Sequence, residues 1–312
     1  MTRRIAALSA LVLAIGCKDK APNDSPAPKA DSALPGTEGM DLAPSAMPTK
    51  APVAAGYPNH VFAYTAARGL TLDGKVILAP PSAPAQGFDL KDKRNGQGDL
   101  FVVPLQDAVA KTKGDTALVA FEASTPYRIV AEVVFTIGQG GAATLEFLVR
   151  TPAGERRTFG MPLPKTALPC GETLEEMQRE LAALQVALGD AATPPTMAMV
   201  PLASRTPICI ALDVASDGLG VRSRRDRLDA SCSDLAKDAG LAVATLPAES
   251  GKLPLGAASI CANTIKKRFP QAVASRVTVR ASGETPWRDV VAVIDTFGPP
   301  GGFGDPILAA PK

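Results

Sequence analysis

Thr125-Pro126-Tyr127-Arg128-Ile129-Val130 returns 160 residues later as Thr285-Pro286-Trp287-Arg288-Asp289-Val290. The register persists outward from both copies. Val133 and Val134 match Val293 and Ile294, Thr136 and Gly138 match Thr296 and Gly298, and residues 118–123 align with 278–283 as a short strand. Further upstream, Ala67-Arg68-Gly69-Leu70 resembles Ser216-Asp217-Gly218-Leu219 at an offset of 149. Self-similarity at a fixed spacing is the mark of duplicated structural units. Each Thr-Pro copy reads as a helix start, with Thr125 or Thr285 capping the first turn and Pro126 or Pro286 at the first helical position, where no N–H is needed. The apolar stripe is then Ile129, Val130, Val133, Val134 and Ile137 in one copy, and Val290, Val291, Val293, Ile294 and Phe297 in the other. Gly138 and Gly298 mark the helix ends. Tyr127 and Trp287 either lock this entry against a sheet or form an interaction surface.

Each glycine-centred upstream piece reads as a hairpin. An earlier helix is predicted in each half. Residues 104–113 turn Leu105, Ala108 and Val109 inward; residues 255–269 are anchored by Ile260, Ile265 and Phe269, with Lys266, Lys267 and Arg268 where cations suit the helix dipole. The closing strands are 144–151 and 306–310. The fold class expected is therefore α+β, two tandem modules, each a small mixed sheet in the order ββαβαβ with two helices packed on one face.

This pattern resembles the periplasmic domain of the ExbD/TolR biopolymer-transport family. The residues that carry the likeness are the hairpin Arg68-Gly69-Leu70-Thr71-Leu72-Asp73-Gly74-Lys75, the strand 118–123, the Pro-aromatic-Arg-x-x-Val sequence that begins at Pro126, and Leu145-Glu146-Phe147-Leu148-Val149. It covers about residues 60–152 and, more distantly, 206–310. The resemblance implies a role in ion-driven energy transduction beside an ExbB/TolQ-type motor. Two features depart from it. No apolar segment of spanning length follows residue 16, and residues 5–15 contain no acidic residue that could carry a proton. What carries over is the capacity of the domain to pair with itself as a homodimer, to touch peptidoglycan, or to contact other envelope proteins.

The N-terminus sets the expected location. Arg3 and Arg4 precede an apolar run over residues 5–15, and Ala14-Ile15-Gly16-Cys17 reads as a bacterial lipobox, with Cys17 as the lipidation site carrying palmitate-like chains. Residues 1–16 are then a signal peptide, and the membrane partner is reached through the lipid anchor. Removal of Arg3 and Arg4 takes the side-chain charge from +2 to zero, which leaves no electrostatic footprint for nucleic acid. Residues 18–56 hold seven prolines, nine alanines and no aromatic residue, and read as a disordered tether. The domain plan is 1–16 signal, 17–56 lipidated cysteine and tether, 57–152 first module, 153–205 inter-repeat segment with an amphipathic helix over 172–188, and 206–312 second module.

The other cysteines are Cys170, Cys209, Cys232 and Cys261, an even set that in an exported chain suggests two disulfides. Of three pairings, Cys170–Cys209 and Cys232–Cys261 are favoured on their placement between elements. Arg222, Arg224, Arg225 and Arg227 form the densest basic cluster. The alternatives are a contact with phosphates or carboxylates of the envelope and a solvated hairpin tip balanced by Asp226 and Asp229. His60 is the single histidine, no CxxC pair supports a metal site, and no nucleophile motif surrounds a serine. A third reading, an enzyme using acidic residues such as Glu122, Asp295 and Asp305, has no constellation to support it. The expectation is a non-enzymatic, lipid-anchored envelope protein without cofactor or metal, an accessory or interaction module in transmembrane transport on either membrane; the alternative is a peptidoglycan- or ligand-binding lipoprotein.

Overall fold

The computed structural model describes residues 34–47, 60–112, 116–142, 144–163, 210–223, 235–238, 241–268 and 277–312. The first half runs β1 (Val61–Thr65), β2 (Gly69–Leu72), β3 (Lys75–Leu78), α1 (Val103–Val109), β4 (Thr116–Phe121), α2 (Tyr127–Gln139), β5 (Thr144–Arg150) and β6 (Arg156–Pro162). The second runs β7 (Ile210–Ala215), β8 (Gly218–Ser223), β9 (Leu235–Asp238), β10 (Leu241–Pro247), α3 (Leu255–Arg268), β11 (Val277–Ala281), α4 (Trp287–Phe297) and β12 (Pro306–Leu308). The fold is α+β, with one mixed sheet per half. Strand orders are β3-β2-β1-β4-β5-β6 and β12-β11-β7-β8-β10-β9.

The duplication is visible strand by strand. In each half an antiparallel hairpin leads into a parallel partner: β1 pairs β2 and then β4, while β7 pairs β8 and then β11. Phe62 lies opposite Val119 as Leu212 lies opposite Val279, so the first strands are offset by 150 and the parallel strands by 160. The hairpin turn closes between Thr65 and Gly69 in one half and between Ala215 and Gly218 in the other, one residue shorter, which is why the offset drops to 149 beyond it. The glycines after the turns do the same job. Gly69 and Gly218 both have positive φ, and a Cβ at either would overlap a carbonyl oxygen of the next strand, Leu78 or Leu246.

The ββαβαβ reading omitted two kinds of strand. Asp73-Gly74, both at positive φ, turns β2 back into β3, as an Asp-Gly pair favours. β6 returns antiparallel along all of β5 and completes the sheet with Phe159 and Met161 buried. It lies beyond residue 152, inside the expected inter-repeat segment, so the first module extends through Pro162. In the second half β9 and β10 occupy the corresponding edge beyond β8.

The helices pack one face of each sheet. Ile129, Val130, Val133, Val134 and Ile137 of α2 are buried with Phe62, Val119 and Phe147, and Val290, Val291, Val293, Ile294 and Phe297 of α4 with Leu212, Val279 and Ala281. The α3 stripe differs from expectation. Ile260 is 62% exposed, whereas Ala258, Cys261, Ala262 and Ile265 are buried, because the i, i+3, i+4, i+7 rows of this helix pass one residue to the side of Ile260. Phe269 lies outside the described residues.

The expected tether also needs correction over residues 34–47. Leu34, Met40 and Leu42 pack against Val61, Ala63, Leu118, Ala120 and Leu148, the sheet face opposite the helices. Pro44 bridges Arg150, and Ala123 N–H donates to Asp41 O at 2.7 Å. Prolines and alanines marked this stretch as featureless, but its three large apolar side chains Leu34, Met40 and Leu42 suffice to cover this sheet face, while Met47 packs into the main core. The rest of 17–56, the helix at 172–188, Cys17, Cys170, Cys209 and Cys232 lie outside the described residues.

Candidate functional site

The two Thr-Pro signatures meet. Pro126 and Pro286 form an antiparallel bridge, and four backbone bonds cross the joint in a reciprocal pattern. Tyr127 N–H donates to Thr285 O at 2.8 Å and Arg128 N–H to Gly283 O at 3.0 Å; Trp287 N–H donates to Thr125 O at 2.8 Å and Arg288 N–H to Ala123 O at 2.9 Å. The first turn of any helix has N–H groups without an internal partner. Here the carbonyls of the opposite repeat accept them. Neither threonine side chain caps its own helix, and each proline sits just before the first helical residue, in extended backbone. The motif is thus a helix start, but one completed by its copy.

The aromatic residues exchange cores across the same joint. Trp287, from the second half, is fully buried and packs edge-on to Phe121 at 5.8 Å and tilted to Phe147 at 5.3 Å, both in the first half. Tyr127, from the first half, donates its hydroxyl to Ala309 O at 2.5 Å and approaches Val279 O at 3.3 Å in the second. Burial pushes the Tyr127 phenol far above its usual range. Both residues therefore lock the two repeats to each other and offer no surface to a partner. Ser45 Oγ and Ala46 N–H add a further link, each donating to the Asp295 carboxylate at 2.7 Å; burial holds that carboxyl above the ordinary aspartate range, although these bonds oppose the shift.

One ionic cluster is internal. Glu132 of α2 is fully buried, where it pairs with Lys93 and accepts Arg128 Nε at 2.5 Å and Phe88 N–H at 2.9 Å. Arg128 also reaches Gln97 O and Asp99 O. Burial lowers the Lys93 pKa and its Glu132 partner opposes this. The set ties the 79–102 connection to α2, and a buried ion pair needs such added hydrogen bonds to offset desolvation.

A second cluster opens to solvent. Asp213 of β7 is 5% exposed, and three cations surround it: Arg280 Nε donates to Oδ1 at 2.8 Å, Arg222 Nε lies 2.6 Å from Oδ2, and Lys312 Nζ lies 3.5 Å from Oδ2. The cationic side chains are 32–40% exposed. Burial alone would raise the Asp213 pKa, but the Arg280 hydrogen bond and the charges of Arg280, Lys312 and Arg222 hold it below the usual value. Strand alternation places Asp213, opposite Arg280 in the register, on the face away from Leu212, Val214 and Val279.

Of the basic cluster expected from sequence, Arg222 joins this network; Arg224, Arg225 and Arg227 lie outside the described residues. Asp213, Arg280 and Lys312 were missed, although an acid between Leu212 and Val214 and a base between Val279 and Ala281 are visible as charges at the outward positions of apolar strands. Cys261 is buried and disulfide-bonded. His60 Nδ1 contacts Asp73 Oδ2 at 2.7 Å, and Asp73 Oδ1 accepts Val61 N–H. Glu122 accepts Ala66 N–H. Among the described residues no group of three or more His, Cys, Asp or Glu side chains could hold a metal ion, and no helix is long and apolar enough to cross a membrane. No protein-family model, curated protein or solved structure matches this chain.

Proposed function

We propose that this chain is a lipid-anchored, non-enzymatic cell-envelope protein. Its two ExbD/TolR-like modules act together as an accessory interaction unit in transmembrane transport or envelope energy transduction. The observation that carries the reading is the joint. The Pro-aromatic-Arg signature on which the family resemblance rests is consumed in both copies by pairing the repeats, with both aromatics fully buried in the opposite half. A motif spent on mutual capping supports a scaffold assembled from a module that pairs with itself, rather than a catalytic pocket. Anchorage at Cys17 would place that scaffold at a membrane surface without the proton-carrying helix of the family. The experiment is in-cell crosslinking of the full chain followed by identification of captured proteins, run beside sedimentation with purified peptidoglycan. Capture of ExbB/TolQ-type motor subunits supports the accessory role; sedimentation with the wall and no motor capture replaces it with a wall-binding role. Loss of membrane attachment in Cys17→Ala tests the anchor separately.

A further inference from the structure

We infer that Arg222, Arg280 and Lys312, arranged around Asp213 on the outer face of the second sheet, form a binding site for a dianionic phosphate monoester. The inference does not depend on the envelope role. Charge provides the first argument. Three cationic side chains share one carboxylate side chain, so the side chains of the cluster sum to two positive charges. A phosphate monoester carries about −1.5 to −2 at neutral pH and would balance them.

Donor geometry provides the second. Arg280 donates Nε–H to Asp213 Oδ1, whereas Arg222 Nε lies 2.6 Å from Oδ2 as an ion pair without a hydrogen bond, and the terminal nitrogens of both guanidinium groups make no hydrogen bond among the described residues. Asp213 therefore fixes the Arg280 fork by its inner edge and holds Arg222 beside it by charge alone, with the outer donors of both and the Arg222 Nε–H still available, and the guanidinium fork matches phosphate oxygens in pairs. The exposure of all three cations keeps the site open.

The first repeat provides an internal comparison. At the positions of Asp213 and Arg280 it has Ala63 and Ala120, which face each other in the same register and are covered by Leu34, Met40 and Leu42. The fold thus needs no charge at these positions. The second repeat has replaced a covered apolar pair by a buried acid and exposed bases.

The test titrates the full chain with inorganic phosphate, glycerol 3-phosphate and a soluble short-chain phosphatidylglycerol, following heat and the ¹⁵N–¹H signals of arginine Nε. Saturable binding of the first two is expected, tightening as pH rises through the second pKa of each ligand, which is about 6 for the ester and higher for inorganic phosphate. The diester, with a single charge, is expected to bind at least tenfold more weakly. Arg222→Gln and Arg280→Gln should each weaken the monoester at least tenfold, and Lys312→Gln, which leaves the Asp213–arginine pairs intact, at least threefold. The exposed Lys267→Gln should change nothing. Absence of saturable monoester binding, equal binding by Lys312→Gln and the parent chain, or a diester bound as tightly as the monoester would each overturn the assignment.

Discussion

Pro126 and Pro286 face each other across an antiparallel bridge, and on either side of them Tyr127 N–H reaches Thr285 O while Trp287 N–H reaches Thr125 O. This pairing makes each repeat the cap of the other's helix. The consequence is thermodynamic: two units that complete each other's first turns and exchange their largest aromatics should not unfold separately.

Trp287 is the only tryptophan in the chain, so its fluorescence reports the joint directly. Urea unfolding followed by that fluorescence and by far-ultraviolet circular dichroism is expected to give one coincident transition. Trp287→Ala should cost about 3–5 kcal/mol, because it empties the cavity between Phe121 and Phe147 as well as the joint. Two separated transitions in the parent chain would mean that the halves are energetically independent.

Gly69 and Gly218 make a matched pair of predictions. Each has positive φ and lies against a carbonyl of the adjoining strand. Gly69→Ala and Gly218→Ala should each destabilise by about 1–3 kcal/mol, by comparable amounts. Thermal melts of the two variants check this; a neutral result at one site alone would show that the equivalence of the hairpins is only topological.

Glu132→Ala would strand Lys93 and Arg128 without their shared anion and release Phe88 N–H. The expected cost is about 3–5 kcal/mol, as for breaking a buried ion pair from one side. Amide hydrogen exchange should show lost protection across residues 84–102 before the sheet is affected, since the cluster holds that connection to α2.

Asp213→Asn tests the open cluster through pH. Because the folded-state pKa of Asp213 is lowered, its contribution is fully present above the unfolded aspartate value near 4 and is lost as pH falls through the lower folded value. The variant should be less stable than the parent by about 1–3 kcal/mol at pH 7, and the difference should shrink toward pH 3. A stability difference that stays constant between those pH values would show that packing, rather than charge, is what the asparagine disturbs.

Much of this architecture was legible in the chain because its signals are local. Helical stripes such as Ile129 to Ile137 and the Gly69 and Gly218 hairpins depend on residues near in sequence, and duplication repeated them at a nearly constant spacing. Apart from β3, whose Asp73-Gly74 turn is itself local, the missed elements depend on distant partners. Residues 34–47 have no period of their own and acquire order only from the sheet face that Ala63, Ala120 and Leu148 present. Ile260 looked like an anchor until the orientation of α3 chose Cys261 instead.

The sequence by itself determined that there are two α+β repeats, where their helices lie, and that Thr-Pro-aromatic-Arg opens one helix in each. Only the tertiary structure decided that these openings cap one another, that Tyr127 and Trp287 are spent on the opposite core, and that Asp213 collects bases from β8, β11 and the chain beyond β12. The physical reason is that a backbone N–H or a buried carboxylate specifies only that it must have a partner; which atom satisfies it, across 158 residues from Tyr127 to Thr285 or 67 from Asp213 to Arg280, is settled by packing.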